Sequence, residues 1–305
     1  MTAIAVFGSA NMDLVAYVAE PPGRGETVTG REFRTIPGGK GANQAVAAAR
    51  AGADVVFIGA VGDDDFGPRL RDTLAAAGAD VSRLRTVPGA SGIAHIVVDD
   101  GGGNSIIVVP GANAAATAPQ PADLAGCAAL LLQLELPMPA VTAAVGSAAT
   151  AGVPVVLTPA PVRDLPAELL DRVDLLVPNE HEAAKLTGIS DPERALAALL
   201  DRVPEAVITL GERGALYGGS APAAAGSKIT TRVAAPQVTA VDTTAAGDTF
   251  AGALAVARAE GKPPAEALRF ATAAAALSVQ RAGASTSMPA RAEIDAAVAA
   301  MPPVT

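Results

Sequence analysis

Residues 174–188 read DLLVPNEHEAAKLTG. A short apolar run opens the stretch, a Pro-Asn step interrupts it, and a helical pattern then runs to Gly188. The run is continuous in apolar residues rather than alternating, which suits a strand covered on both faces. The glycine sits where a helix ends and the chain must turn. The stretch is a strand–helix unit in miniature, and the question it sets is whether the rest of the chain repeats it.

It does. Further apolar runs are IAVFG at 4–8, VVFIGAVG at 55–62, ALLLQLE at 129–135, PVVLTPA at 154–160 and AVITLG at 206–211. Helical candidates lie between them: KGANQAVAAARAG, GPRLRDTLAAAG and PERALAALLDRV, beside PNEHEAAKLTG itself. This alternation predicts an α/β, Rossmann-like fold, with a mostly parallel central sheet flanked by helices. Two segments break the rhythm. Residues 13–36 and 91–109 read as pairs of short strands, the second joined by the turn DDGGGN. Together they predict a small β-sheet lid on a single domain spanning 1–305. In the second pair, alternation places Ala94 and Ile96 on one face and His95 on the other. Residues 220–237 read as a surface segment.

Composition narrows the function classes. The chain has 305 residues, a formal net charge of −9, no Trp and 3% aromatic residues. A basic footprint and stacking aromatics are both missing, which argues against nucleic-acid binding. No apolar run reaches the roughly 18 residues a membrane span needs, and no basic region precedes the first one. The one cysteine, Cys127, lies in an apolar run and reads as a small core residue. Absence of an internal disulfide fits a reducing compartment, so the expectation is a cytoplasmic protein acting on small molecules.

Ligands of open parallel sheets bind beyond the carboxyl ends of the strands. There this chain places polar residues: Asn11 and Asp13, Glu135, Asn179 and Glu182, Thr209 with Gly211 and Gly214, and the stretch from Asp242 to Asp248. TTAAGD at 243–248 reads as a tight turn before the helix TFAGALAVARA, which Gly261 closes. Unpaired N–H groups at such a helix mouth form an anion site, and a carboxylate there can take a proton from a hydroxyl. An Asp at that position is equally the favoured helix cap. PGGKGAN at 37–43 reads either as a substrate loop admitting close backbone approach or as an ordinary turn. It is no P-loop, because Gly41 follows Lys40 where Ser or Thr is needed. GSANMD lacks the second glycine of a dinucleotide fingerprint. Asp63, Asp64 and Asp65 read as a solvated helix start, and His95 and His181 as structural or surface residues.

In order along nearly the whole chain, GSANMDLV, PGGKGANQAVAAARAGA, GAVGDDDFG, VPGAN, LLLQLELP, LTPAP, LLVPNEHEAAKLTG, TLGERGA and VDTTAAGDTFAGALA resemble the motifs of the ribokinase, or PfkB-like, family of carbohydrate kinases. QRAGASTSMP at 280–289 resembles the family's C-terminal segment. The resemblance implies a roughly nine-stranded sheet, a lid that pairs as a dimer clasp, and MgATP-dependent phosphorylation of the D-ribose 5-hydroxyl. It implies Asp248 as catalytic base, with Ala245, Ala246 and Gly247 as the anion hole. Asn11, Asp13, Gly39, Lys40, Asn43 and Glu135 match sugar-binding positions. Asn179 and Glu182 match positions acting through Mg2+ and the phosphates. Thr209, Gly211, Glu212 and Gly214 match nucleotide positions, and Thr272 lies on the expected adenine side. Asp242, Thr244, Ser278, Arg281, Gly283 and Ser287 match a K+ site built mostly from carbonyl oxygens. The same motifs leave open a sister kinase acting on 2-deoxyribose, a nucleoside or a hexose, and a sugar-binding regulator without catalysis.

Overall fold

In the computed structural model, which describes residues 2–220 and 228–302, the apolar runs lie side by side as strands. In chain order the strands are β1 (Ala3–Phe7), β2 (Asn11–Tyr17), β3 (Glu32–Gly38), β4 (Asp54–Gly62), β5 (Leu84–Val87), β6 (Gly92–Val98), β7 (Asn104–Val109), β8 (Ala129–Leu132), β9 (Val155–Leu157), β10 (Leu175–Leu176), β11 (Glu205–Thr209), β12 (Ala215–Ser220) and β13 (Lys228–Val233). The helices are α1 (Lys40–Arg50), α2 (Phe66–Ala76), α3 (Met138–Ala151), α4 (Ala167–Leu170), α5 (Glu180–Thr187), α6 (Pro192–Leu199), α7 (Ala246–Ala259), α8 (Pro264–Ser278) and α9 (Arg291–Ala300).

Nine strands form the main sheet in the order β13-β12-β11-β10-β9-β8-β1-β4-β5. Pairing is parallel from β11 across to β5, whereas β12 and β13 are antiparallel. Side chains alternate across each strand, and helices cover both faces. Ile4 and Val6 therefore enter the core shared with α1, α2, α7, α8 and α9, while Ala5 and Phe7 enter the core shared with α3, α4, α5 and α6. Two apolar faces explain why these runs read as continuous. Each fully buried Leu or Phe stabilises the fold by about 1.5–3 kcal/mol.

The second sheet has the order β3-β2-β6-β7. It leaves the main sheet at strand carboxyl ends: β2 follows β1 after Gly8–Ala10, β6 follows β5 after Pro88–Ser91, and β3 runs into α1 through Gly39 alone. The segment 13–36 is less of a hairpin than its pattern predicts. β2 and β3 do pair antiparallel, from Asn11–Gly38 to Tyr17–Glu32, but a long irregular loop joins them. Pro21, Pro22 and several glycines in that loop forbid continued pairing. Residues 228–233 of the expected surface segment form the edge strand β13, with Thr230 and Arg232 exposed; residues 221–227 of that segment lie outside the described residues. Ala94 is buried and His95 exposed, as alternation places them. No helix among the described residues is long and apolar enough to cross a membrane.

Close backbone approach fixes α1 and α7 above the carboxyl ends. A Cβ on Gly41 would stand 2.5 Å from the backbone of Gly8, so no larger residue lets α1 begin there. One on Gly252 would stand 2.7 Å from Ala47 Cβ and 2.8 Å from Gln44 O, so α7 lies directly against α1. That contact brings the first turn of α7 beside Asn43 and Gln44.

Candidate active site

The left-handed conformation of Ala245, φ 58° and ψ 15°, starts α7 at Ala246. The helix thus begins earlier than the TTAAGD-turn reading predicts, and half of that turn is helical. A non-glycine residue held left-handed is strained by about 1–2 kcal/mol. Ala245 is the one such residue among those described. The Ala246 amide donates to Thr243 O at 3.3 Å, and the Thr249 amide donates to Ala245 O at 2.8 Å. Between them, Gly247 and Asp248 carry amides with no acceptor among the described residues, as expected of a first helical turn. Gly247 is exposed and its Cβ position is open space, so an anion can reach this mouth.

Asp248 is not the cap. It is the third residue of the helix, its side chain caps nothing, and it is only 7% exposed. Asn43 Nδ2 donates to its Oδ2 at 3.2 Å, and Gln44 Nε2 donates to its Oδ1 at 3.0 Å. Burial raises the Asp248 pKa most; Lys40 and the two amide donors oppose that, and Glu135 adds to the rise. The result is a stronger base than an ordinary carboxylate, aimed by two fixed amides.

Around it converge residues from three other elements. Glu135, just past β8, accepts from Ser9 Oγ at 2.5 Å, from the Lys40 amide at 3.1 Å and from Asn11 Nδ2 at 3.3 Å. Asp13 on β2 packs on the bare backbone of Gly38, where a Cβ would stand 2.4 Å from its Oδ2. Burial, then Glu135, then Asp248 push the Asp13 pKa up to about 7, against the pull of Lys40. Gly39, at φ 92°, caps α1 where a Cβ would meet the Asn11 amide at 2.7 Å. Burial lowers the pKa of Lys40, but the surrounding Asp248, Glu135, Glu182 and Asp13 outweigh it and keep the ammonium charged. Asn43 Oδ1 is buried without a partner. A lining of acceptors around one ammonium, with a spare carbonyl, suits a small polyhydroxylated molecule.

Asn179 and Glu182 form a reciprocal cap on α5: Asn179 Oδ1 accepts from the Glu182 amide and Glu182 Oε2 from the Asn179 amide, both at 2.8 Å. Burial raises the pKa of Glu182 against that hydrogen bond and against Lys40. The Thr209 amide donates to Pro178 O at 3.0 Å, so the ends of β10 and β11 lie together. Gly211 (φ 59°) and Gly214 (φ 91°) bracket a short 3-10 turn that presents an exposed Glu212. Buried Thr272 on α8 has an unpartnered Oγ1, and α8 packs against β12 and β13.

Asp242 joins two segments far apart in sequence. Its Oδ1 accepts from the Thr244 amide at 2.9 Å and its Oδ2 from the Gly283 amide at 2.8 Å, while Val279 O accepts from the amides of Val241 and Asp242. Burial raises its pKa, but these donors win and hold it below the usual carboxylate range. Ser278 and Ser287 give their hydroxyls to Ala275 O and Ala284 O, and Arg281 pairs with Glu293.

The remaining expectations fall outside the site. Asp64 accepts from Ser91 and Gly67, and Asp63 from Gly89, so the acidic run secures a turn before α2. Among the described residues no three His, Cys, Asp or Glu cluster to hold a metal. His95 and His181 are exposed, and Cys127 packs against the core with its thiol pushed up by burial. Sequence reasoning missed Ser9, Gln44, Asn113 and Gln133. Asn113, within the motif VPGAN, donates to Asn11 Oδ1 at 2.7 Å and so orients it. Uncharged side chains of this kind carry no signal until their partners are known.

The model of the pfkB family carbohydrate kinases matches residues 1–291. A Bacillus subtilis ribokinase is 43% identical over 301 residues, covering 97% of this chain and 99% of the relative. A Thermotoga maritima ribokinase structure superposes with a TM-score of 0.88 at 36% identity, covering 98% of this chain and 100% of the other. An Arabidopsis thaliana ribokinase complexed with ribose and ATP gives 0.89 at 34% identity, covering 98% and 99%.

Proposed function

The chain belongs to the pfkB family of carbohydrate kinases, and from that membership and the geometry of its site we propose that it transfers the γ-phosphoryl group of ATP to the 5-hydroxyl of D-ribose. The observation that carries the reading is the buried Asp248 carboxylate, held by Asn43 and Gln44 directly behind an exposed helix mouth. Asp248 takes the hydroxyl proton as the new O–P bond forms and the bond to the departing ADP breaks. Ala245, Ala246 and Gly247 shape the mouth whose fixed amides receive the phosphoryl charge without reorganising. Asn11, Asp13, Lys40, Asn43 and Glu135 hold the sugar, with Gly39 leaving room for it. Asn43 Oδ1 gains from a sugar hydroxyl the partner it lacks. The second sheet closes over the sugar as a lid that excludes water.

ATP lies along the carboxyl ends of β10 and β11, against Thr209, Gly211, Glu212, Gly214 and Gly247, with its adenine toward Thr272. Mg2+ supplies neutralisation of phosphate charge. Asn179 and Glu182 would hold it, since the cap engages Glu182 Oε2 and leaves its second oxygen available. A substrate panel scoring ADP release tests the reading. D-ribose outpacing 2-deoxyribose, hexoses and nucleosides supports it; a better turnover of any of these assigns a sister activity, and none at all supports the regulator.

Asp242, Thr244, Ser278, Arg281, Gly283 and Ser287 would hold K+, which would supply order to the anion-hole turn. Asp242 already ties that turn to the C-terminal segment, and hard oxygen donors suit such a cation. Replacing Na+ by K+ at fixed ionic strength raises turnover severalfold, and Asp242→Ala removes most of that response. Equal wild-type rates in the two salts reject the site.

The chain also pairs as a homodimer through its second sheet. Phe33 (62% exposed), Ile107 (67%) and Val109 are exposed apolar residues that the register and alternation of the strands place on one face of that sheet, and exposed apolar residues gathered on one face suit a partner. Sedimentation of the wild type as a dimer, and of Ile107→Asp as a monomer, is the expected result. A monomeric wild type at micromolar concentration overturns it.

A further inference from the structure

Behind Asp248 lies a chain of buried amides, Gln44 and Gln133, to which no sugar, nucleotide or metal contact is assigned above. Gln44 Nε2 donates to Asp248 Oδ1 at 3.0 Å and to Thr158 Oγ1 at 3.3 Å. Gln44 Oε1 in turn accepts from Gln133 Nε2 at 2.7 Å. Both glutamines are sealed from solvent, Gln44 at 0% and Gln133 at 1% exposure. Their amides therefore have no water to fall back on. Gln133 reaches this position because Gly8 carries no side chain: a Cβ there would stand 2.2 Å from Gln133 Oε1.

The direction of the chain is not free. An ionised carboxylate only accepts, so Gln44 must turn its NH2 toward Asp248. Its carbonyl then faces Gln133, which must answer with its own NH2. Reversing Gln133 would set two carbonyl oxygens against each other. Gln133 Oε1 is left without a partner, a cost accepted to keep this orientation.

We propose that Gln44, oriented by Gln133, is a positioning residue that aims the Asp248 carboxylate at the sugar hydroxyl and favours its ionised form. Gln133 acts on the base only through Gln44, across elements that sequence places far apart. The inference rests on the reading of Asp248 as the base. The charged groups facing Asp248 are Lys40, Glu135, Asp13 and Glu182; the two glutamines carry no charge and leave these in place.

The test is a pH profile of kcat with D-ribose and ATP for Gln44→Leu, Gln133→Leu and the double variant. Removing a donor that favours the carboxylate moves the acid limb to higher pH. Gln44→Leu is expected to lower kcat about tenfold at neutral pH, from loss of one charge-assisted hydrogen bond, with ribose KM within about threefold. Gln133→Leu moves the same limb in the same direction by less, about threefold in kcat. The double variant is no worse than Gln44→Leu, because the second change then has nothing to act through. An unmoved acid limb in a folded Gln44→Leu overturns the proposal, as does a double variant whose losses multiply. Should Gln44→Leu fail to fold, Gln133→Leu decides alone: a shifted limb supports the relay and an unshifted one overturns it. Asp248→Asn separates the two levels. If it turns over normally, the base assignment fails; if it is inactive while both glutamine variants keep the wild-type profile, only the relay fails.

Discussion

Asp248→Asn folds, binds ribose and ATP, and loses about 10²–10⁴-fold in turnover, the range associated with general-base catalysis. The fold survives because the replacement is nearly isosteric and removes a buried charge. Its amide needs an acceptor where Asn43 Nδ2 now stands, and Asn43 supplies one by flipping, since its Oδ1 has no other partner. Burial raises the Asp248 pKa above the unfolded value. Folding therefore loses stability as pH rises from the unfolded value through that raised pKa, and replacing the carboxyl leaves stability unchanged or greater at neutral pH. Thermal melts establish folding, calorimetry the two affinities, and ADP release the rate. A folded variant within a few-fold of wild-type turnover would show that Asp248 is not the base.

Asp13→Asn moves affinity and stability in opposite directions. An ionised Asp13 accepts two sugar hydroxyls, whereas the amide accepts with one oxygen only. Loss of a hydrogen bond to a charged group costs about 1.5–3 kcal/mol, so ribose affinity falls about 10–100-fold while ATP affinity stays within a few-fold. The ligand-free protein, however, becomes more stable. Asp13 is pushed up to about 7 from 3.8, a raised carboxylate. Its neutral form fits the folded site, and folding loses stability as pH rises from 3.8 through about 7. At pH 8 the variant escapes that loss, by up to about 4 kcal/mol at 1.36 kcal/mol per unit. The gain shrinks at pH 5 and vanishes near pH 4. Melting curves of the ligand-free proteins at pH 8 and pH 5, beside ribose titrations, check both halves. Unchanged ribose affinity counts against Asp13 as a sugar ligand, and a pH-independent stability difference counts against its titration near neutrality.

How much of this was legible in advance differs from residue to residue. Apolar runs such as IAVFG and the glycines closing helices such as α5 are local signals, repeating within a few residues, and they sufficed for a parallel sheet covered on both faces. Where the pairing of β2 and β3 ends is not legible in the sequence; the prolines of the loop between them say where pairing cannot continue, not where it does. Asp248 was visible as a carboxylate near a helix mouth. Whether it capped that mouth or lay buried behind it was undecidable, since the left-handed Ala245 that starts α7 early has no sequence signature.

The strand–helix succession, the polar residues at the strand ends and the family those motifs resemble are all legible in the residues alone. Local periodicity and turn chemistry are enough for these, because each depends on neighbours along the chain. That Asp13, Glu135, Lys40 and Asp248 share one field, and that Gln44 and Gln133 stand behind Asp248, follows from the packing of distant segments. Gln44 and Asp248 are 204 residues apart. They meet because Gly252 lets α7 lie against α1, and Gly41 lets α1 begin against Gly8. Protonation and aim follow from burial and from which amide faces which oxygen, and those are fixed only when distant segments close-pack.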